Sequence, residues 1–355
     1  MRNKMLLGVV IALLTLLLAA CGGGAAAPET GGSQPPAETP ADGKSAAPSE
    51  EAFTPKTLNI SLAGGSAGGS WSAIGEGIGE TIRRLAPGST FTYEPGQDGA
   101  NAVAVAQGTV PFGMAHSPIV SQALKGEEPF PAKLENLRMV ASLYQGYMQI
   151  AVRADAPFTT IEEIVEKKIP VKVSMNKKGT IQNLIAETAF AHYGVTPADI
   201  ESWGGQVVNT SSGDSMDMIR DNRLDMYITT AKAGETYLVE TNLSVPLRLI
   251  QLSDEVLKEL ETKYGMPQVV MPANSYDFQP EAYKSVELYT SLITSAEVDE
   301  ATVYQVTKSI VDNLDYLKTI HDALSETTPE ALAKVGGMPM HPGAEKLYKE
   351  VGALQ

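Results

Sequence analysis

Cysteine is almost absent from this chain of 355 residues, Cys21 being the only one. No intrachain disulfide can form, and no thiolate cluster can hold a metal. Histidine is nearly as scarce, at positions 116, 192, 321 and 341, with no pair at metal-ligand spacing. Positive charge is short as well: 27 Lys and Arg stand against 42 Asp and Glu, for a formal charge of −15. Residues 1–53 contribute −2 of that, so the rest of the chain is strongly acidic. Such a body argues against nucleic acid and anionic lipid surfaces as partners, although a few local donors can still hold an acidic ligand. Long apolar runs are missing too. Met5 to Ala20 is too short to span a bilayer comfortably and is followed by no charged stop-transfer cluster.

That run has the parts of an export signal instead. Arg2 and Lys4 form a positive start, the apolar stretch follows, and Leu18-Ala19-Ala20-Cys21 resembles a bacterial lipobox. The expectation is a signal peptide over 1–20, a lipid on Cys21 and a protein tethered outside the cytoplasmic membrane. Residues 21–53 are dominated by Gly, Ala, Pro, Ser and Glu, with Phe53 the only large apolar side chain. A segment of that composition cannot offset its conformational entropy and reads as a disordered linker, reaching about 30 Å.

Roughly 300 residues remain, enough for two lobes. Strand and helix signals alternate through their first two thirds. Thr57 to Leu62 alternates with period two. Trp71, Ile74, Ile78, Ile82 and Leu85 then repeat at helical spacing, with Ser70 as the expected cap. Further strands are expected at 90–93, 112–115, 170–175, 206–209, 225–229 and 247–251. Helices are expected at 101–107, 119–124, 160–168, 180–193, 214–221 and 233–241. Arg138 to Arg153 is long and apolar enough to cross between lobes, with a return crossing expected near 270–275. Val303, Val306, Ile310, Leu314 and Leu317 make one helical stripe in the tail. Alternating strands and helices imply parallel sheets covered on both faces.

The loop Gly64-Gly65-Ser66-Ala67-Gly68-Gly69-Ser70 lies between the first strand and first helix. It lacks the Lys-Ser/Thr pair of a phosphate loop. It matches a Gly-x-Ser-x-Gly nucleophile elbow in letters, but an elbow follows several strands and this loop follows the first. The reading that fits is an anion cradle, in which glycines let the backbone close on a ligand and a helix N-terminus faces it. Gly96 to Asn101, His116-Ser117-Pro118, Lys177 to Thr180 and Ser211 to Asp214 repeat the pattern at other strand ends. Together they offer hydroxyls, amides and two lysines to one cleft, which Tyr144 and Tyr147 could wall.

At these loops the chain resembles solute receptors of the TAXI group, which serve tripartite ATP-independent (TRAP) transport. The likeness covers almost all of Thr54 to Gln355. It is carried by Ser66-Ala67-Gly68-Gly69 with Trp71, Gly96 with Asn101, Gly113 to His116, Met139 to Tyr144 leading into Gln149 to Arg153, Gly179-Thr180, and His341 to Glu345. Where Asp98 and His116 stand, the group commonly has Ser and Gln, and its Pro-Gly-Ser is replaced by Asn176-Lys177-Lys178. Asp98 would attract an ammonium and Lys178 a carboxylate, so a zwitterion fits better than a plain dicarboxylate.

The resemblance implies an α/β, two-lobed, periplasmic-binding-protein-like (type II) fold with a hinge and an interlobe ligand cleft. Lobe I would comprise 54–149 and 273–355, and lobe II 150–272. The implied function is capture of a small carboxylate-bearing solute, a glutamate-like amino acid favoured, by a monomeric receptor that delivers it to a TRAP-type permease. The expected ligand-binding residues are Gly68, Gly69, Ser70, Trp71, Asp98, Asn101, His116, Ser117, Tyr144, Tyr147, Lys178, Gly179, Thr180, Asp214 and Thr229. No catalytic residue, metal or cofactor is expected. The alternatives are a lipoprotein esterase using Ser66, and a binding protein for an ABC transporter or a sensor kinase.

Overall fold

A computed structural model describes residues 53–355, so the export signal, Cys21 and all but the last residue of the linker lie outside the described residues. The first half runs β1 (Asn59–Gly64), α1 (Ser70–Leu85), β2 (Thr90–Pro95), α2 (Asp98–Ala106), β3 (Phe112–His116) and α3 (Ser117–Lys125). β1 lies between β2 and β3 and is parallel to both. Ile74, Ile78 and Ile82 of α1 are buried, as their spacing predicts. Gly75 and Gly79 of the same helix allow close approach of β2. A Cβ on Gly79 would stand 2.3 Å from the Phe91 ring, and one on Gly75 2.6 Å from that of Tyr93. The helix begins differently from expectation: Gly69 is the N-cap, Ser70 is the first helical residue, and no side chain caps it. The extended Gly69 turns its carbonyl to accept the Ser72 and Ala73 amides at 3.0 and 3.3 Å.

β4 (Leu137–Arg153) follows, with 17 residues, a reach of about 55 Å. The second half runs α4 (Ile161–Glu166), β5 (Lys172–Ser174), α5 (Ile181–Ala191), α6 (Pro197–Ser202), β6 (Gln206–Val208), α7 (Ser212–Arg220) and β7 (Met226–Ala231). It continues through α8 (Thr236–Ser244), β8 (Leu247–Leu249), α9 (Asp254–Tyr264) and β9 (Gln268–Met271). β5 is parallel to β6 and β7. The short α6 is absent from the sequence expectation, although its capping box, Thr196 with Asp199, was there to be read.

The chain returns through β10 (Tyr283–Ser295) and ends in α10 (Glu300–Asp312), α11 (Leu314–Ile320), a 3-10 turn at Asp322–Leu324, α12 (Pro329–Leu332) and α13 (Pro342–Glu350). Along Leu137 to Tyr147, β4 pairs antiparallel with β10, and along Tyr147 to Val152 with β7. β10 also pairs with β3. The described strands form one ten-stranded sheet, with the main path β2-β1-β3-β10-β4-β7-β5-β6. The expected separate parallel sheets are thus corrected to one mixed sheet, because the two crossing strands run against their neighbours. The return crossing is β10, not residues 270–275, which lie at and beyond the end of the β9 hairpin strand.

The tail stripe is split at Asn313, where φ is −120° and the helical path breaks into α10 and α11. All five of its residues still join Ile74, Ile78 and Ile82 in one core. The α1–α10 contact also contains a buried hydroxyl pair, Thr81 with Ser309 at 3.1 Å.

Candidate functional site

A cavity of about 390 Å³ opens between the halves, lined by loops at the carboxyl ends of parallel strands. The β1–α1 loop supplies Ser66, Gly68, Gly69, Ser70 and Trp71. Gln97 and Asp98 come from the start of α2, and His116 from the end of β3. Across the gap, Asn176, Lys177, Thr180 and Gln182 come from the β5–α5 turn, Ser211 to Gly213 from the start of α7, Thr230 from β7, and Glu235, Thr236, Tyr237 and Glu240 from around α8. Tyr144 stands in the wall from the crossing strand.

The two glycine-opened turns face each other. Lys177 Nζ donates to Ser66 Oγ at 2.8 Å, and the Gly99 amide donates to the Gly179 carbonyl at 3.4 Å. Gly179 has φ +82°, which a glycine adopts at no steric cost. Tyr93 donates to the Gly65 carbonyl at 3.0 Å and props the first turn from beneath.

Asp98 joins both halves. Its Oδ1 accepts from the His116 ring Nδ1 at 2.7 Å and the His116 amide at 2.8 Å, and its Oδ2 accepts from the Ile181 amide of α5 at 3.2 Å. Burial alone would raise this carboxyl. The His116 charge and these hydrogen bonds outweigh it and hold Asp98 below its ordinary value. Asp98 therefore occupies the N-terminus of α5. With Nδ1 turned to Asp98, His116 Nε2 faces Thr230 Oγ1 at 3.5 Å, and Gln182 Nε2 donates to the same hydroxyl at 2.6 Å.

Trp71 stacks obliquely on His116 with ring centroids 4.8 Å apart, and its indole N–H donates to the Tyr144 hydroxyl at 3.1 Å. Burial pushes that phenol up to about 12. Glu235 is only 4 % exposed. Burial pushes its carboxyl up to about 7 against the pull of Lys232, and Asp322 adds to the rise.

Of the expected residues, Gly68, Gly69, Ser70, Trp71, Asp98, His116, Tyr144 and Thr180 line this cavity. The others stand elsewhere. Asn101 is buried behind the wall, where its amide group donates to the Gly64 and Met114 carbonyls and its Oδ1 accepts the Gln97 amide. Ser117 accepts the Tyr289 amide at 3.1 Å and borders a second cavity of about 330 Å³ with Glu287 and Lys334. Tyr147 packs against the core around Tyr227 and Leu238. Lys178 points outward and pairs with Glu187. Gly179 contributes its carbonyl to the interlobe contact. Asp214 is exposed and accepts from the Thr210 and Ser211 hydroxyls. Thr229 is buried, 3.0 Å from the Tyr237 hydroxyl.

Of the two adjacent lysines, Lys177 lines the cavity and Lys178 does not. Asn176 at φ +60° reverses the chain just before them, and no spacing rule shows that reversal. Glu235 was also missed, since it looks like an ordinary residue at a helix start. The Ser66 hydroxyl accepts from Lys177, and the hydroxyl near His116 Nε2 belongs to Thr230. Among the described residues no cluster of His, Cys, Asp or Glu could hold a metal ion, and no helix is long and apolar enough to cross a membrane.

A family model described as the NMT1-like family matches residues 62–352. Among solved structures, MatC from Rhodopseudomonas palustris with bound malate is similar at 12 % identity and a TM-score of 0.52, over 83 % of this chain and 97 % of that one. The periplasmic binding protein BugD is similar at 15 % identity and a TM-score of 0.50, over 84 % and 98 %. A binding-protein component of an ABC phosphonate transporter from Pseudomonas aeruginosa is similar at 10 % identity and 0.50, over 76 % and 80 %. These likenesses show the fold, the two-lobed type II architecture of periplasmic binding proteins.

Proposed function

The chain belongs to the NMT1-like family, and from that premise we propose that it is an extracytoplasmic receptor for a small carboxylate-bearing solute. Its role is binding, not catalysis. The observation that carries the reading is the meeting of Lys177 with the glycine-opened turn at Ser66 to Ser70 across one polar cavity. Lys177 supplies a fixed positive charge, and the start of α1, with no side-chain cap, supplies backbone amides. Closure around β4 and β10 would trap the solute between them. A glutamate-like amino acid is favoured as the solute.

In the same proposal the receptor is exported, anchored by a lipid on Cys21, monomeric, and hands its solute to a TRAP-type permease. Support comes from the lipobox-like segment and from the motif order shared with TAXI receptors. A thermal-shift screen of amino acids and dicarboxylates tests the ligand class. A solute at 100 times its dissociation constant should stabilise the protein by about 2.7 kcal/mol. No shift with any carboxylate would refute the reading. Uptake into vesicles carrying a TRAP-type permease, with and without the receptor, tests the partner.

A further inference from the structure

Asp98, Lys177, Glu235 and Glu240 are the Asp, Glu, Lys and Arg residues among those lining the cavity. Asp98 is already spent on His116 and the α5 amide. Lys177 donates to a neutral hydroxyl, which leaves its charge for a solute. Glu235 differs from both. It lines the cavity yet is nearly buried, and the cation beside it, Lys232, bridges to Asp322 at 2.9 Å. The Lys232 ammonium is thus paired with Asp322, while its charge and the Lys232 and Thr236 amides act on the Glu235 carboxyl. The titratable groups that bear on Glu235 are Lys232, Asp322 and the phenols of Tyr144, Tyr227, Tyr237 and Tyr276, and His321, whose imidazole burial holds below its ordinary value, lines the same cavity beside Asp322. None of these supplies a second positive charge.

We propose that Glu235 selects the solute by accepting an ammonium group carried on the same molecule whose carboxylate meets Lys177. This rests on the reading of the cleft as a carboxylate site and names what else the solute must carry. A nearly buried anion short of positive charge gains most from a cation that arrives already desolvated by closure. A plain diacid would leave Glu235 short of a partner and place a second anion in the same small cavity. A zwitterion satisfies both ends. Burial of Glu235 has the matching consequence. As pH falls below about 7 the carboxyl takes up a proton, so the ammonium loses its acceptor.

The test compares L-glutamate with glutarate, which lacks only the amino group, by calorimetry on the whole exported chain. L-Glutamate should bind at least tenfold more tightly to the wild type. Glu235→Gln should remove that preference by weakening L-glutamate about tenfold or more while leaving glutarate within about threefold, roughly 1.4 kcal/mol against under 0.7. Equal affinities in the wild type, or equal loss of both acids in Glu235→Gln, would overturn the proposal while leaving the carboxylate reading intact. Failure of both acids to bind the wild type would instead remove the carboxylate reading, and this inference with it. If the variant does not fold, a pH series on the wild type decides. L-Glutamate affinity should fall by up to about tenfold per unit below pH 7 with glutarate unaffected, and parallel pH profiles would overturn the assignment.

Discussion

The Lys177 ammonium donates to the Ser66 hydroxyl at 2.8 Å, joining residues 111 positions apart from opposite sides of the cleft. This bond makes Lys177 both a closing contact and the fixed cation of the cavity. Its neighbour Lys178 points away to Glu187. A charge-assisted hydrogen bond contributes about 1.5–3 kcal/mol, so Lys177→Met should weaken solute binding by roughly 10- to 100-fold. Lys178→Met should change it by less than about threefold, since exposed pairs contribute little. Calorimetry on both variants separates the two lysines, and equal losses would contradict the geometry.

Asp98 ties β3 to the start of α5 through His116 and the Ile181 amide. Asp98→Asn leaves buried donors poorly matched and should cost about 3 kcal/mol in chemical denaturation. It should also raise the radius of gyration seen by solution scattering as the halves separate. Because the folded-state pKa lies below the ordinary value, the stability from this group is present at neutral pH. It is lost as pH falls through the folded pKa, below the usual carboxylate range. The variant's acid unfolding curve should lack that component.

Glu235 has the opposite sign. Its folded carboxyl holds a proton up to about 7, against an ordinary 4.5. The folded state therefore binds more protons, and stability declines as pH rises between those values. Glu235→Gln should remove the decline and stabilise the solute-free protein by about 2–3 kcal/mol at pH 8. Melting curves from pH 5 to 8 read this directly. A wild-type minus variant difference that stays constant across the series would contradict it.

Asn101 braces Gly64, Met114 and Gln97 from behind the cavity wall. Asn101→Ala should destabilise the protein by about 2–3 kcal/mol, through buried carbonyls left unpaired. Any loss of affinity should come with that loss of stability. Weaker binding in a variant with unchanged denaturation would return Asn101 to direct contact with the solute.

Gly79→Ala would set a methyl group 2.3 Å from the Phe91 ring. Overpacking of this kind should cost about 1–3 kcal/mol despite the better helix propensity of alanine. Phe91→Leu in the same chain should recover part of it. Thermal denaturation of the single and double variants measures both effects.

The loops that line the cavity were largely legible because strand ends and capping loops are local features. The glycine loop after β1, Trp71 four residues before Gly75, and His116 at the end of β3 all fall where alternation and helical spacing place them. Asn101 and Lys178 stand away from the cavity for a reason that spacing does not show. A polar residue in a βα loop can serve its own backbone, the solvent or a ligand, and sequence spacing does not distinguish these. The tail stripe was read correctly as a buried face but not as two helices, because the break at Asn313 involves no glycine or proline.

Sequence alone determined the acidic body, the absence of disulfides, the αβ alternation and the row of helix-opening loops, since each depends on composition or on neighbours a few positions apart. Tertiary structure decided which polar groups in those loops remain available. Asp98 is spent on Ile181, 83 positions away, whereas Lys177 reaches Ser66 across the gap and Glu235 is buried near a lysine that pairs with Asp322. Availability depends on which donors meet which acceptors once distant strands are paired, and local periodicity carries no information about that.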